Sequence, residues 1–172
     1  MVTKNMSKVQ KLTFSAMVMA LYITVVYFTQ SFSFGAYQIR IATSLYALSY
    51  LFPFLVFPLG LANFIANMLF GGLGLLDMLG GCLVGIITTS LIAGIRRLNW
   101  NRFLIILPIV FIPGLGVSIW LSYLLKMPYP TLAVSLCIGQ VIPSFCGVIL
   151  VNLLKRITKE VPQKEPIRRS NV

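Results

Sequence analysis

The sequence contains no histidine and only three acidic residues among its 172. Two of them, Glu160 and Glu165, lie in the C-terminal tail, so Asp77 is the one acid of the apolar body. Catalysis by a carboxylate pair, a histidine-bound metal or a Ser–His relay therefore lacks the residues that it needs. A G-x-x-x-x-G-K-[ST] phosphate-binding loop is also absent. We predict that the chain is not an enzyme and uses no cofactor. The shortage of ionisable groups also disfavours a proton-coupled carrier.

Cysteine is equally scarce. Cys82, Cys137 and Cys146 all lie within apolar runs, and no two of them form a C-x-x-C pair. Such cysteines are typical of small core residues rather than of disulfides or metal ligands. We therefore expect neither a disulfide bond nor a metal site.

Charged residues make up 10% of the chain and hydrophobic residues 58%, whereas soluble proteins contain about 25% charged residues. A helix needs about 20 apolar residues to cross a bilayer. The apolar runs, separated by short breaks at Gly, Pro or charged residues, are 12–30, 41–70, 74–95, 103–125 and 131–154. The sequence thus predicts an all-α integral membrane protein.

The positions of lysine and arginine predict the topology, because cytoplasmic segments of membrane proteins accumulate these residues. The run 41–70 is long enough for one tilted span or two short ones. With five spans and a cytoplasmic N-terminus, the arginines of 96–102 and the basic tail would all lie outside. If 41–70 crosses twice, with a turn near Pro53, only Arg40 and Lys126 lie outside. We therefore predict six spans with both termini cytoplasmic.

These spans are predicted to form a single membrane domain over 1–155, followed by a basic cytoplasmic tail over 156–172. The net charge of +11 is explained by orientation and by contact with anionic lipid. Nucleic-acid binding is therefore not expected, and the predicted location is the plasma membrane.

Asp77 lies in the glycine-rich stretch 71–81. At helical spacing it shares one face of the fourth predicted helix with glycines that include Gly81 and Gly85. A glycine face admits another helix at close range, so Asp77 should point into the bundle. Pointing at lipid would cost about 2.5–3.5 kcal/mol. Two interpretations stay open: a ligand contact, or an acid near a helix N-terminus that complements the helix dipole.

Other polar and aromatic side chains are predicted near the same level. Asn63 and Asn67 are four residues apart on the third helix, and Gln140 lies on a small-residue face of the sixth. Amides suit the edge of a heteroaromatic ligand, although hydrogen bonds between helices explain them equally well. Trp120 and Tyr123 are either stacking platforms for such a ligand or members of the interfacial aromatic belt.

Proline and glycine interrupt the fifth predicted helix at Pro113-Gly114-Leu115-Gly116. Broken helices in membranes normally line a cavity. We therefore expect α-helical structure to break near the middle of this span.

The first helix has a face of small residues, Thr13, Ala16, Ala20 and Thr24. Ala16 and Ala20 form a small-xxx-small step of the kind that allows close helix packing. The face could seat another helix of this chain or a partner protein.

Three stretches resemble a known family: "GAYQIRIATSL" (35–45), "NFIANMLFGGLGLLDMLGG" (63–81) and "SIWLSYLLKMPYPTLAVSLCIGQ" (118–140). They are similar to the QueT family, substrate-binding S components of energy-coupling factor (ECF) transporters for queuosine precursors. The resemblance covers roughly residues 10–155, and Asn67 to Asp77 is its most specific part.

The resemblance implies a six-helix S-component bundle with a ligand pocket in the outer half. It implies a 7-deazaguanine-type ligand and docking through the first helix on a transmembrane coupling subunit with two ATPase subunits. Ala16 and Ala20 match the family's docking motif. Asn67, Asp77 and Arg40 match positions of the presumed pocket, and Gln38 in the same matched segment is a further candidate.

Thr43 and Gln140 depart from the family pattern, which has glutamates there. Loss of two negative charges should weaken binding of an ammonium more than binding of a neutral nitrile or base, so we hypothesise a shifted ligand preference. The alternatives are an S component for another vitamin-like or purine-like ligand, a stand-alone facilitator or channel, and a membrane scaffold without a ligand.

Overall fold

The computed structural model describes residues 6–34, 38–71 and 73–160, with side chains through 157. No β-strand occurs in these ranges. The α-helices are α1 (Lys8–Phe28), α2 (Gln30–Ser33), α3 (Val56–Ala66), α4 (Leu75–Arg97), α5 (Ile106–Leu125) and α6 (Tyr129–Glu160). Shorter helical segments are 3₁₀-helices at Ile41–Tyr50, Pro53–Leu55 and Arg102–Ile105, and a π-helical turn at Asn67–Gly71. The predicted all-α class is confirmed for this part of the chain.

Segments long and apolar enough to cross a membrane number five in the described ranges. They are Lys8–Phe28, Pro53–Gly71, Leu75–Arg97, Arg102–Leu125 and Tyr129–Ile157. The division into a domain ending at 155 and a separate tail remains a prediction. Helix α6 continues to Glu160, and 161–172 lie outside the described residues.

The segment Ile41–Tyr50 is a 3₁₀-helix of ten residues, eight of them buried. At a rise of about 2.0 Å per residue it is about 20 Å long, which is shorter than a hydrocarbon core of about 30 Å. A short 3₁₀-turn, Pro53–Leu55, separates it from α3, close to the turn predicted near Pro53. The six-span count and the cytoplasmic termini remain predictions.

The bundle has two ends, named here by one residue each. At the Asp77 end, α3 passes into α4 and α5 into α6; at the Arg96 end, α4 passes into α5. The ring of Phe14, near the start of α1, lies 4.9 Å from that of Phe52 before α3, and Lys155 of α6 lies over the Tyr50 ring. The start of α1 and the last described turns of α6 therefore both lie at the Arg96 end.

Glycines of α4 allow α3 and the 3₁₀-helix to approach closely. A Cβ at Gly85 would lie 3.1 Å from both Gly60 Cα of α3 and the Tyr46 hydroxyl oxygen. Tyr46 is fully buried and stacks on Tyr22 of α1 with ring centroids 5.7 Å apart. The close approach predicted for the Gly81–Gly85 face is confirmed.

The predicted break in α5 is wrong, because the helix runs unbroken with Pro113 in its interior. A Cβ at Gly114 would collide with Cys137 of α6, and one at Gly116 would lie 3.0 Å from Val84 of α4. These glycines serve close packing on both sides of α5, and tertiary packing overrides their low helix propensity.

Helix α1 is the least buried of the five long segments. In its most apolar stretch 22% of the residues are buried, against 39–44% in the other four segments. Its buried residues are Ser15, Val18, Tyr22 and Val26. The small-residue face lies on the opposite side, and all four of its members are exposed: Thr13, Ala16, Ala20 and Thr24. In the described structure this face packs against no other helix of the chain.

Candidate functional site

Asp77 is in the first turn of α4. The helix begins directly after Gly74, whose φ of 85° is a conformation that glycine adopts readily. The side chain is 4% exposed. Trp120 Nε1 of α5 donates a hydrogen bond of 3.0 Å to Asp77 Oδ1. The Trp120 ring lies against Gly80, where a Cβ would be 2.8 Å from it. Asp77 therefore points into the bundle, as predicted, and its described side-chain partner is an indole.

Asn63 and Asn67 attach α3 and the following π-helical turn to α4. Asn63 Nδ2 donates to Gly81 O at 2.7 Å, and Asn67 Nδ2 donates to Asp77 O at 3.0 Å. A Cβ at Gly81 would lie 2.5 Å from Asn67 Nδ2, so any larger residue at this position would displace the amide. The buried Asn67 Oδ1 has no hydrogen-bond partner in the described structure. An unpaired buried acceptor costs about 1–3 kcal/mol, so Asn67 Oδ1 is a candidate to accept a hydrogen bond from a ligand N–H or O–H.

Arg40 is the buried cation of the site. Its side chain is 8% exposed, Nη1 donates to Asn63 Oδ1 at 2.7 Å, and Cζ lies 4.8 Å from the centre of the Phe34 ring. The sequence placed this arginine in an outer loop, whereas the structure turns it inward among neutral groups. A guanidinium has five N–H donors, so donors remain beyond these contacts.

Thr43 and Gln140, the two positions where the resemblance implies glutamates, are in direct contact. The Thr43 hydroxyl lies 2.7 Å from Gln140 Oε1 and 2.7 Å from Arg40 O, and can donate to either. Gln140 Nε2 donates a longer bond of 3.4 Å to Gln38 O. Gln38 has a φ of 42°, a left-handed conformation that is uncommon for a residue with a side chain. These contacts join the 3₁₀-helix to α6 at the level of Arg40.

Two hollows lie at this end of the bundle. The deeper one, named the polar cavity, has a volume of about 20 Å³. It is lined by Gln38, Arg40, Thr43, Tyr46, Asn63, Val84, Pro113, Val117, Leu136 and Gln140. A site of this size holds about one water molecule.

The second hollow, named the vestibule, has a volume of about 310 Å³. Its lining comes from the segment after α1, the α3–α4 connection, the end of α5 and the start of α6: Phe34, Gln38, Gly71, Leu73, Leu121, Leu125, Met127, Leu132 and Leu136. Gln38 and Leu136 line both hollows and so lie between them. The vestibule is large enough for a small bicyclic ligand, since ligand pockets start at about 300 Å³.

The predicted site residues divide into three groups. Gln38, Arg40, Asn63 and Gln140 line the polar cavity. Asn67, Asp77 and Trp120 form the adjoining hydrogen-bond network but line neither hollow. Tyr123 is 80% exposed and also lines neither, which suits an interfacial aromatic residue. Their roles in binding remain predictions.

Several lining residues were missed from the sequence. Leu132, Leu136 and Gln140 are four residues apart on α6, so helical spacing from Gln140 would have found the two leucines. Tyr46 follows Thr43 by three residues, which puts both on one side of a 3₁₀-helix. That relation becomes visible only once the helix type is known.

Fold and site together define an all-helical membrane protein with a small-molecule-sized recess at one end. The family model for the QueT transporter matches residues 12–156, most of the chain. The chain therefore belongs to the QueT transporter family and is a multi-pass membrane protein, consistent with a role in membrane transport. No curated protein and no solved structure matches it.

Proposed function

We propose that this chain is the substrate-binding S component of an ECF-type importer in the plasma membrane. It captures a queuosine precursor, a 7-deazaguanine-type base, from outside the cell. Import is powered by two ATPase subunits acting through a transmembrane coupling subunit. In this proposal the chain itself performs no catalysis and requires no cofactor.

The observation that carries the proposal is the vestibule above the polar cavity in a chain of the QueT transporter family. The vestibule, at about 310 Å³, provides apolar walls for the faces of a flat ring. The polar cavity provides hydrogen-bonding groups for the ring's edge. A few placed polar groups within an apolar recess are typical of small-molecule sites.

The binding residues follow from this arrangement. Arg40, Asn63 and Gln140 contact the ligand edge from the polar cavity, and Gln38 contacts it from the boundary between the hollows. The network of Asn67, Asp77 and Trp120 closes the side of the site, where the unpaired Asn67 Oδ1 can accept a ligand N–H. Tyr123, which is 80% exposed and lines neither hollow, is assigned to the interfacial aromatic belt rather than to the ligand site.

The exposed small-residue face of α1 is evidence that a partner protein docks there. Ala16 and Ala20 are exposed on the outside of the least buried long helix. Such a face lets a second helix approach closely. We therefore assign it to docking on the coupling subunit rather than to packing within the chain.

In the proposed orientation the Asp77 end faces outward and both termini are cytoplasmic. The basic residues support it, since Arg96 and Lys155 both contact Tyr50 at the opposite end, and cytoplasmic segments accumulate such residues. The 3₁₀-helix Ile41–Tyr50 then forms the core of a second, short crossing, which gives six passes.

The test is a thermal-shift series on the purified protein with deazaguanines and common vitamins, because a ligand above its dissociation constant must raise the melting temperature. The proposal expects stabilisation by a deazaguanine and uptake into vesicles only when the coupling and ATPase subunits are present. Uptake without ATPases would instead indicate a facilitator. Absence of any stabilising compound would favour a scaffold, and stabilisation by a vitamin alone would indicate another ligand class.

A further inference from the structure

The polar cavity is cationic. Among the described residues that line it, Arg40 is charged and none is acidic. Asp77, the one acid whose side chain the structure describes, hydrogen-bonds Trp120 and does not line the cavity. A ligand group that enters the cavity therefore meets a positive charge.

The described partners of that charge are neutral: the Asn63 amide oxygen at 2.7 Å, the Phe34 ring at 4.8 Å and the Tyr22 hydroxyl. A buried ion without a counter-ion costs several kcal/mol. An electron-rich ligand group would lower that cost, whereas a ligand ammonium would raise it by repulsion.

The free hydrogen-bonding groups in the cavity also favour a ligand group that accepts hydrogen bonds. The orientation of Asn63 is fixed at both ends, because Arg40 must donate to its oxygen and Gly81 O must accept from its nitrogen. Gln140 Oε1 accepts from the Thr43 hydroxyl when that hydroxyl does not donate to Arg40 O, and Gln140 Nε2 has a long bond of 3.4 Å. The unused capacity includes strong donors, namely the remaining guanidinium N–H groups and the Gln140 amide nitrogen.

The size of the cavity limits what enters it. A volume of about 20 Å³ admits one group comparable to a water molecule. A bicyclic ring must stay in the vestibule, with a single small substituent or ring carbonyl reaching past Gln38 and Leu136.

We propose that the polar cavity is a subsite for a small hydrogen-bond acceptor without positive charge, such as a carbonyl oxygen, the nitrogen of a nitrile or one oxygen of a carboxylate, held by Arg40 and Gln140. Ligands bearing an ammonium at that position are selected against. This inference rests on the proposed function for the identity of the ring.

The test uses three 7-deazaguanines that differ in the substituent at C7: cyano, carboxy and aminomethyl. Dissociation constants are measured by calorimetry on the purified protein. We expect both acceptor forms to bind at least about tenfold more tightly than the aminomethyl form, since charge-assisted hydrogen bonds are about twice as strong as neutral ones.

Gln140→Glu places a carboxylate in the cavity that Arg40 also lines, with almost no change in shape. Thr43→Glu is a second variant, from the 3₁₀-helix that contacts α6. Each should narrow or reverse the preference. Gln30→Glu, an exposed position on α2 outside both hollows, is the matched control and should leave it unchanged. Melting temperatures show whether each variant is folded.

Aminomethyl binding as tight as cyano binding in the unaltered protein would overturn the subsite and leave the proposed function intact. An unchanged preference in folded Gln140→Glu and Thr43→Glu would overturn its location. Binding of none of the three compounds would refute the proposed ligand class, and the inference with it.

Discussion

Trp120 Nε1 and Asp77 Oδ1 are joined by a hydrogen bond of 3.0 Å between α5 and α4. The carboxylate is 4% exposed, and no lysine or arginine pairs with it in the described structure. A buried carboxylate held by an indole alone is a strong acceptor with remaining capacity. Its Oδ2 lies toward Gly71, a residue of the vestibule wall.

The first prediction concerns this carboxylate. Asp77→Asn keeps the size of the side chain but removes the charge. Hydrogen bonds to charged groups contribute about 1.5–3 kcal/mol, so affinity for the deazaguanine should fall about tenfold or more, while the protein still purifies as a folded monodisperse species. Calorimetric titration measures the affinity.

Trp120→Phe is the companion variant, because it removes the indole donor and leaves Asp77 intact. It should retain more affinity than Asp77→Asn does. If Asp77→Asn binds like the unaltered protein, and both variants lose the same melting temperature, Asp77 serves only to hold Trp120.

The second prediction concerns the glycine beside the amides. In Gly81→Ala the new Cβ would lie 2.5 Å from Asn67 Nδ2 and 3.3 Å from Asn63 Nδ2. Overpacking costs about 1–3 kcal/mol, so the melting temperature should fall by several degrees and ligand affinity should fall with it. Thermal unfolding in detergent measures the first effect.

Gly94→Ala is the matched control on the same helix, since a Cβ there meets no atom within 4 Å. It should be neutral or stabilising, because alanine is favoured over glycine in a helix by about 1 kcal/mol. If both variants lost the same melting temperature, the effect of Gly81→Ala would not come from a clash with the two amides.

Helical periodicity predicted that Asn63 and Asn67 share one face of their helix and that Asp77 shares a face of the next helix with Gly81. The hydrogen bonds between these two faces came from the structure. The burial of Arg40 was not predictable, since charge counting assigns an arginine to a side of the membrane and says nothing about its depth. The ten-residue 3₁₀-helix was not predictable either, because such runs are uncommon. Without it, the contact between Thr43 and Gln140 could not be derived.

The predicted break in α5 was wrong for a similar reason. Proline and glycine in sequence indicate weak local helix propensity. Whether the helix then breaks depends on the neighbours, and here Cys137 packs directly against Gly114. The proline and glycines marked this part of the helix as unusual, but they could not show whether it breaks or packs closely against its neighbours.

The third prediction concerns the Arg96 end. Arg96 Nη1 donates to Tyr50 O at 2.8 Å and to Leu51 O at 3.0 Å, the carbonyls that end the 3₁₀-helix. Arg96→Ala leaves both without this donor and should destabilise the protein by about 1–3 kcal/mol. Thermal unfolding measures the loss.

Arg97→Ala is the control, since Arg97 is the exposed neighbour and surface substitutions usually change stability by less than about 0.5 kcal/mol. If both variants were destabilised to a similar extent, the cause would be the loss of a positive charge at this end. The hydrogen bonds of Arg96 to the end of the 3₁₀-helix would then not explain the effect.

The last prediction separates binding from coupling. Replacing Ala16 and Ala20 together by Leu adds bulk to an exposed face, so the fold and the ligand site should be unaffected. Close packing of a partner helix would be blocked. We expect uptake in vesicles containing the coupling and ATPase subunits to fall to background, while affinity in detergent stays within about twofold.

Leu21→Trp on the same helix is the control, because Leu21 is 49% exposed and lies well away from Ala16 and Ala20 around the helix. It adds comparable bulk and should preserve uptake. A loss of both affinity and uptake in the alanine variant would mean that the face packs within the chain. Undiminished uptake would mean that the coupling subunit docks elsewhere, because no helix could approach α1 closely once the two leucines are present.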